Sequence, residues 1–170
     1  MTVLIFILLA AMPALVITAG LKDLTTMKIP NWISASLFIL FFPAALALGL
    51  PVNQILIHLG LAVAVLLVGM IVFALRWLGG GDVKLMAATC LWLGLTASGA
   101  FALYTALVGG VFGLALLLAR HHIGPFLPSS LGWVSTLMEP KGDIPYGIAI
   151  AAGALLAYPA SPLIVAAIAR

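Results

Sequence analysis

"LGGGDVKLMA", residues 78–87, sets three glycines, an aspartate and a lysine directly before an apolar run. The chain around it is 65% hydrophobic and 6% charged, with a mean hydropathy of +1.35. Soluble domains carry about a quarter charged residues, so this is the composition of an integral membrane protein. Whether the stretch opens a membrane helix decides how often the chain crosses. A spanning helix needs roughly 20 apolar residues, somewhat fewer when flanking cations snorkel. On that count residues 83–97 form a short fourth span among six, the others being 2–21, 32–50, 54–77, 99–119 and 145–168. The expected fold is all-α: a polytopic membrane bundle of six transmembrane helices, with residues 1–170 as one domain. "MTVLIFILLA" at the start lacks the basic first region of a secretory signal and is read as a retained helix.

Six of the seven basic residues, Lys22, Lys28, Arg76, Lys84, Arg120 and Lys141, fall in the first, third and fifth connections, and Arg170 alone lies opposite. The positive-inside rule makes those connections cytoplasmic and puts both termini outside. The uncharged "LGLPVNQ" and "GLTASG" become outer turns, and Trp32, Trp77 and Tyr146 fall at the inner boundary, where amphipathic rings settle. The long inner connection, residues 120–143, has room for a short interfacial helix capped by Ser130, with Leu131, Val134 and Met138 on one face. In a membrane protein the net charge of +3 reports topology, and no nucleic-acid partner is inferred from it.

The four acidic residues are Asp23, Asp82, Glu139 and Asp143. Asp23 follows the first span and Asp82 precedes the fourth, so the two intervening spans return the chain to the same membrane face. Asp82 after a glycine turn suits a helix N-cap, and Asp23 beside Lys22 suits a solvated turn. Ionisable groups at membrane depth are costly, however, and usually serve a function. Three glycines also clear side chains where another backbone could approach. Two carboxyls confined at a partly dehydrated site share a proton. One can then take a proton from water attacking a peptide carbonyl while the other polarises the carbonyl oxygen and protonates the leaving nitrogen. That chemistry needs no metal and no cofactor.

The remaining polar residues suit quieter roles. Glu139 and Asp143 flank Lys141 in "MEPKGD", a solvated loop, although Asp143 lies close enough to "PYG" to touch a substrate. His121 and His122 lack neighbouring ligands at metal spacing and read as loop residues. His58 stands alone near the outer end of the third span, a packed histidine. Lys22 and Lys84 read as snorkelling residues, Lys84 projecting away from Asp82 on a regular helix. Cys90 is a small apolar filler, and "GGVFG", residues 109–113, has the spacing for close helix packing.

Together "DLTTMKIPNW", "GGGDVK" and "IPYG" resemble the type IV prepilin peptidases, membrane aspartyl proteases of the GxGD group, and the chain's size resembles the short members serving tight-adherence (Flp) pili. The ordered trio spreads across nearly the whole chain. The resemblance implies removal of a short basic leader from prepilins at the cytoplasmic face of the bacterial inner membrane. It implies Asp23 and Asp82 as the catalytic pair, with Lys28, Pro30 and Asn31 from the first motif. Gly79 or Gly80, Gly81 and Lys84 complete the second motif, and Pro145, Tyr146 and Gly147 match the third. Longer members carry an insertion with paired cysteines and are associated with methylating the new pilin amine. Here the first inner connection is short and holds no cysteine, so peptidase activity without methyltransferase activity is expected. The expected partners are a pilin-like precursor and the lipid bilayer, and nothing in the sequence sets an oligomeric state. Two other classes remain open: a proton- or cation-coupled transporter using the aspartates as a relay, and a non-catalytic pilus-assembly subunit with Asp82 as a cap.

Overall fold

The computed structural model describes residues 2–123, 132–140 and 142–169, and among them every regular element is helical. In chain order these are α1 (Thr2–Thr26), α2 (Asn31–Ala47), α3 (Val52–Ala74), α4 (Gly80–His122), α5 (Trp133–Leu137), α6 (Gly147–Ala157), a 3-10 turn (Tyr158–Ala160) and α7 (Pro162–Ile168). Three helices are long and apolar enough to cross a membrane: Val3–Thr26, Val52–Ala74 and Gly80–His122. The pair Gly147–Ala160 and Pro162–Ile168, bent by 41°, makes a fourth if it counts as one span, and α2 is a shorter apolar helix. The outer surface exposes large apolar side chains such as Leu56, Val63, Leu67, Val111 and Leu114, as lipid-facing helices do.

α4 replaces the two spans expected over residues 83–97 and 99–119, and the break falls at Gly94 rather than across "GLTASG". Gly94 has φ 63° and ψ −176°, a backbone conformation closed to residues with a Cβ. A Cβ there would also stand 2.7 Å from the His58 ring. His58 is buried, stacked on Phe41, and its Nδ1–H donates to the Leu91 carbonyl at 2.7 Å, one turn before the break. It is the packed histidine the sequence suggests.

The break folds α4 back on itself. Asp82, in its first turn, lines a cavity with Gly142 and Asp143, and the carbonyls of those two residues accept hydrogen bonds from Arg120 in its last turn. On a straight helix those two positions would lie roughly 57 Å apart at 1.5 Å per residue. The two arms of α4 therefore run antiparallel, with Gly94 at the far end.

The first arm, the weakest span by composition, is the centre of the bundle: Leu85, Leu91, Trp92 and Leu93 are fully buried. α4 as a whole packs with α2, α3 and α6. Trp92 meets Phe41 edge-on and donates its indole N–H to the Leu37 carbonyl at 2.8 Å. A helix wrapped by protein on all sides needs no long lipid-facing stripe, which explains its shortness. α3 is the converse, with only His58 and Ala62 buried. α1 runs five residues beyond its expected end and carries Asp23 on the helix itself. The five-residue α5 starts at Trp133 and buries Leu137; the expected cap Ser130 and its neighbour Leu131 lie outside the described residues, as do Lys141 and Arg170.

Candidate active site

A cavity of about 790 Å³ opens at the end of the bundle where α1 and α3 finish and α4 and α6 begin. Asp23 and Asp82 both line it, together with Met27, Phe73, Arg76, Trp77, Asp143, Pro145 and Tyr146.

Asp23 is buried at the end of α1. Its Oδ2 accepts the backbone N–H of Gly147, the first residue of α6, at 2.7 Å. A helix N-terminus presents such unpaired N–H groups and favours negative charge. Two glycines allow the approach. A Cβ at Gly147 would stand 2.7 Å from Asp23 Cβ, and one at Gly20, on the same face of α1, would stand 3.2 Å from the Gly147 carbonyl.

Asp82 occupies the third position of α4, not its N-cap as the sequence suggests; the N-cap is Gly79. Asp82 Oδ2 reaches back to accept the Gly79 N–H at 3.2 Å, so the carboxylate does help start the helix. That contact uses one oxygen. Oδ1 is buried with no hydrogen-bond partner among the described residues, an acceptor with its capacity unspent.

The glycine triplet resolves into distinct demands. A Cβ at Gly79 would lie 2.8 Å from Asp82 Oδ2, and one at Gly81 would lie 3.1 Å from Ile29 Cβ. At Gly80 the nearest neighbour, a Phe73 ring carbon, is an ordinary 3.4 Å away. Room for a side chain is thus tight at Gly79 and Gly81 and ordinary at Gly80.

The other motif residues divide. Lys84 leans away from the cavity, as helical spacing implies, and donates from Nζ to Asn31 Oδ1 at 3.0 Å, tying the start of α2 to the start of α4. Pro30 is the N-cap of α2. Lys28 is exposed, and its carbonyl accepts from Thr26 Oγ1 at 3.2 Å. Pro145 and Tyr146 wall the cavity, and Gly147 holds Asp23. Gly109 and Gly113 receive this same segment rather than another helix: a Cβ would stand 2.9 Å from the Tyr146 ring at Gly109 and 3.6 Å from Ile144 Cδ1 at Gly113. His121 and His122 are exposed at the end of α4, their rings edge-to-face at 4.8 Å. Among the described residues no group of three or more His, Cys, Asp or Glu stands close enough to hold a metal ion.

Three contributors escape sequence reasoning. Met27 and Arg76 line the cavity with φ of 53° and 60°, the two non-glycine positive φ values among the described residues. Strained residues of this kind cluster at functional sites. Arg120, read from sequence as a topology marker, is buried and bonded to backbone.

A model of the type IV leader peptidase family matches residues 4–114. Two curated relatives, both named prepilin leader peptidase/N-methyltransferase and both from Aeromonas salmonicida, one of them strain A449, are each 40% identical over 67 residues. That match covers 35% of this chain and 23% of each relative, so the chain spans under a quarter of the length of the relatives it matches. No solved structure matches the chain.

Proposed function

This chain belongs to the type IV leader peptidase family, and we propose that it is a membrane aspartyl endopeptidase that removes the leader from Flp-type prepilins, with Asp23 and Asp82 as its catalytic pair. The observation that carries this reading is that two carboxylates from distant helix ends wall one cavity, one of them with a buried, unpartnered oxygen. The pair holds one proton between them. Water placed between the carboxyls loses a proton to the ionised one as it adds to the scissile carbonyl, while the protonated one donates to the carbonyl oxygen. The proton taken from water then passes to the departing nitrogen while the other carboxyl takes a proton back from the tetrahedral diol, and the C–N bond breaks. Gly147 N–H keeps Asp23 from rotating out of line, and Gly79 N–H does the same for Asp82.

Residues 1–170 act as one peptidase unit of six membrane crossings: α1, α2, α3, the two arms of α4, and α6 with α7. Both termini face outward and the cavity faces the cytoplasm of the bacterial inner membrane, an orientation supported by the basic residues Lys22, Lys28, Arg76 and Lys84 at the cavity end. Lys28, Pro30, Asn31, Gly79, Gly81, Lys84, Pro145 and Tyr146 support the site by position and packing. The curated relatives are named for peptidase and N-methyltransferase activity together. The short connection between α1 and α2, which holds no cysteine, supports the peptidase activity alone.

The test is to reconstitute the protein with an Flp-type prepilin and S-adenosylmethionine and to sequence the product by mass spectrometry. A single new N-terminus without an added methyl group is expected; intact prepilin overturns the peptidase reading, and a methylated product overturns its restriction.

A further inference from the structure

The second arm of α4 presents Gly109, Gly113, Leu116 and Arg120 on one buried face, spaced so that each falls about whole turns from the last. Residues 142–146 run antiparallel along it. Tyr146 sits at Gly109, Ile144 at Gly113, and Gly142 against the Arg120 guanidinium. At the far end Arg120, 6% exposed, spends its side chain on three backbone carbonyls. Nε donates to Leu137 at 2.8 Å, Nη1 to Gly142 at 2.7 Å and Nη2 to Asp143 at 2.8 Å. A guanidinium holds its donors in a rigid planar fork, so three bonds fix both the position and the direction of the backbone they grip.

The gripped backbone leads directly to the site. Asp143, Ile144, Pro145 and Tyr146 wall the cavity, and the next residue, Gly147, supplies the N–H that holds Asp23. We infer that Arg120 is a positioning residue: by clamping the backbone at residues 137, 142 and 143 it sets where Gly147 meets Asp23 and where Asp143 stands at the cavity wall. Arg120 touches neither carboxyl of the pair. At Asp143 the bond is to the backbone carbonyl, not to the carboxylate. This inference rests on the peptidase reading for its catalytic consequence and on geometry alone for the clamp.

The test uses Arg120→Lys, which keeps the cation and the helix but cannot span three carbonyls with one ammonium. Hydrogen–deuterium exchange of the full-length protein in detergent reads the clamp directly. Faster exchange at residues 142–147 with α1, α2 and α3 unchanged is expected; unchanged exchange there overturns the clamp. With an Flp-type prepilin as substrate, kcat falls about tenfold to a hundredfold while KM stays within about twofold, the pattern of a misplaced catalytic group. Added methylguanidinium restores part of the kcat of Arg120→Ala. Wild-type kcat in Arg120→Lys, or faster exchange throughout the protein, overturns the positioning role. A wild-type protein that cleaves nothing would sink the peptidase reading, and the exchange result would still decide the clamp.

Discussion

Gly147 donates its N–H to Asp23 Oδ2 at 2.7 Å, and any side chain there would occupy the space of the carboxylate it holds. Gly147→Ala should therefore lower kcat/KM by about a hundredfold or more, since small displacements at a reacting group are that costly. The glycine triplet separates the same way. Gly79→Ala displaces Asp82 Oδ2 and should cost activity comparably, whereas Gly80→Ala meets only ordinary contact with Phe73 and should retain most of it. A cleavage assay on the three purified variants checks the ranking, and equal losses at Gly79 and Gly80 would contradict it. At this scale much of the site is legible in the sequence, because carboxylates and clustered glycines are conspicuous in an apolar chain. Arg120 is not: one cation at a helix end reads as a topology marker, and only the path of residues 142–146 shows what it grips. Sequence also cannot say which early glycine of the triplet matters, since the answer depends on where Asp82 turns its oxygen.

Helix ends, rather than helix bodies, place the two carboxylates proposed as the catalytic pair. α2 ends in a Schellman turn, with Gly49 at φ 65° and the N–H of Leu50 bonded to the Ala45 carbonyl. α3 ends in the same turn, the N–H of Trp77 bonded to the Val72 carbonyl, but with Arg76 in the left-handed position. A non-glycine residue there costs about 1 kcal/mol. Arg76→Gly should stabilise the protein by roughly that amount, read as a higher unfolding midpoint in detergent; a lower midpoint would show that the side chain contributes more than its backbone strain. Gly94 makes the opposite prediction. Gly94→Ala combines a φ/ψ pair closed to residues with a Cβ and a collision at His58 and should destabilise by about 3 kcal/mol or more. The sequence marks this break only loosely, because "GLTASG" offers two glycines and Gly99 has open space around it. The closeness of His58 is what selects Gly94. The end of α1 is hidden for a related reason: "KDLTT" is polar enough to end an apolar count, yet its Thr25 and Thr26 hydroxyls bond back to the carbonyls of Leu21 and Lys22 within the helix.

Across the whole molecule, the fold is a device for returning two carboxylates to one place. α2 and α3 carry the chain away from Asp23 and back to Asp82, and the fold-back at Gly94 brings Arg120 to the same end. The return to a common face is legible in the sequence from the number of intervening spans alone. The depth of the cavity and the part played by residues 142–146 are not, because they depend on long-range contacts between helix ends. The proposed orientation makes Lys28 cytoplasmic and Asn53 external. Cysteine placed at Asn53 should react with an impermeant maleimide applied to intact cells, and cysteine at Lys28 only after permeabilisation; the native Cys90 is buried and leaves a low background. The reverse pattern would invert the orientation but leave the shared cavity intact. The central claim, that the cavity works through its two aspartates, is tested most directly by measuring prepilin cleavage by purified Asp23→Asn and Asp82→Asn variants. Each is expected to lose cleavage by about a thousandfold or more while remaining folded in the membrane, and near wild-type cleavage by either variant would contradict the catalytic pair.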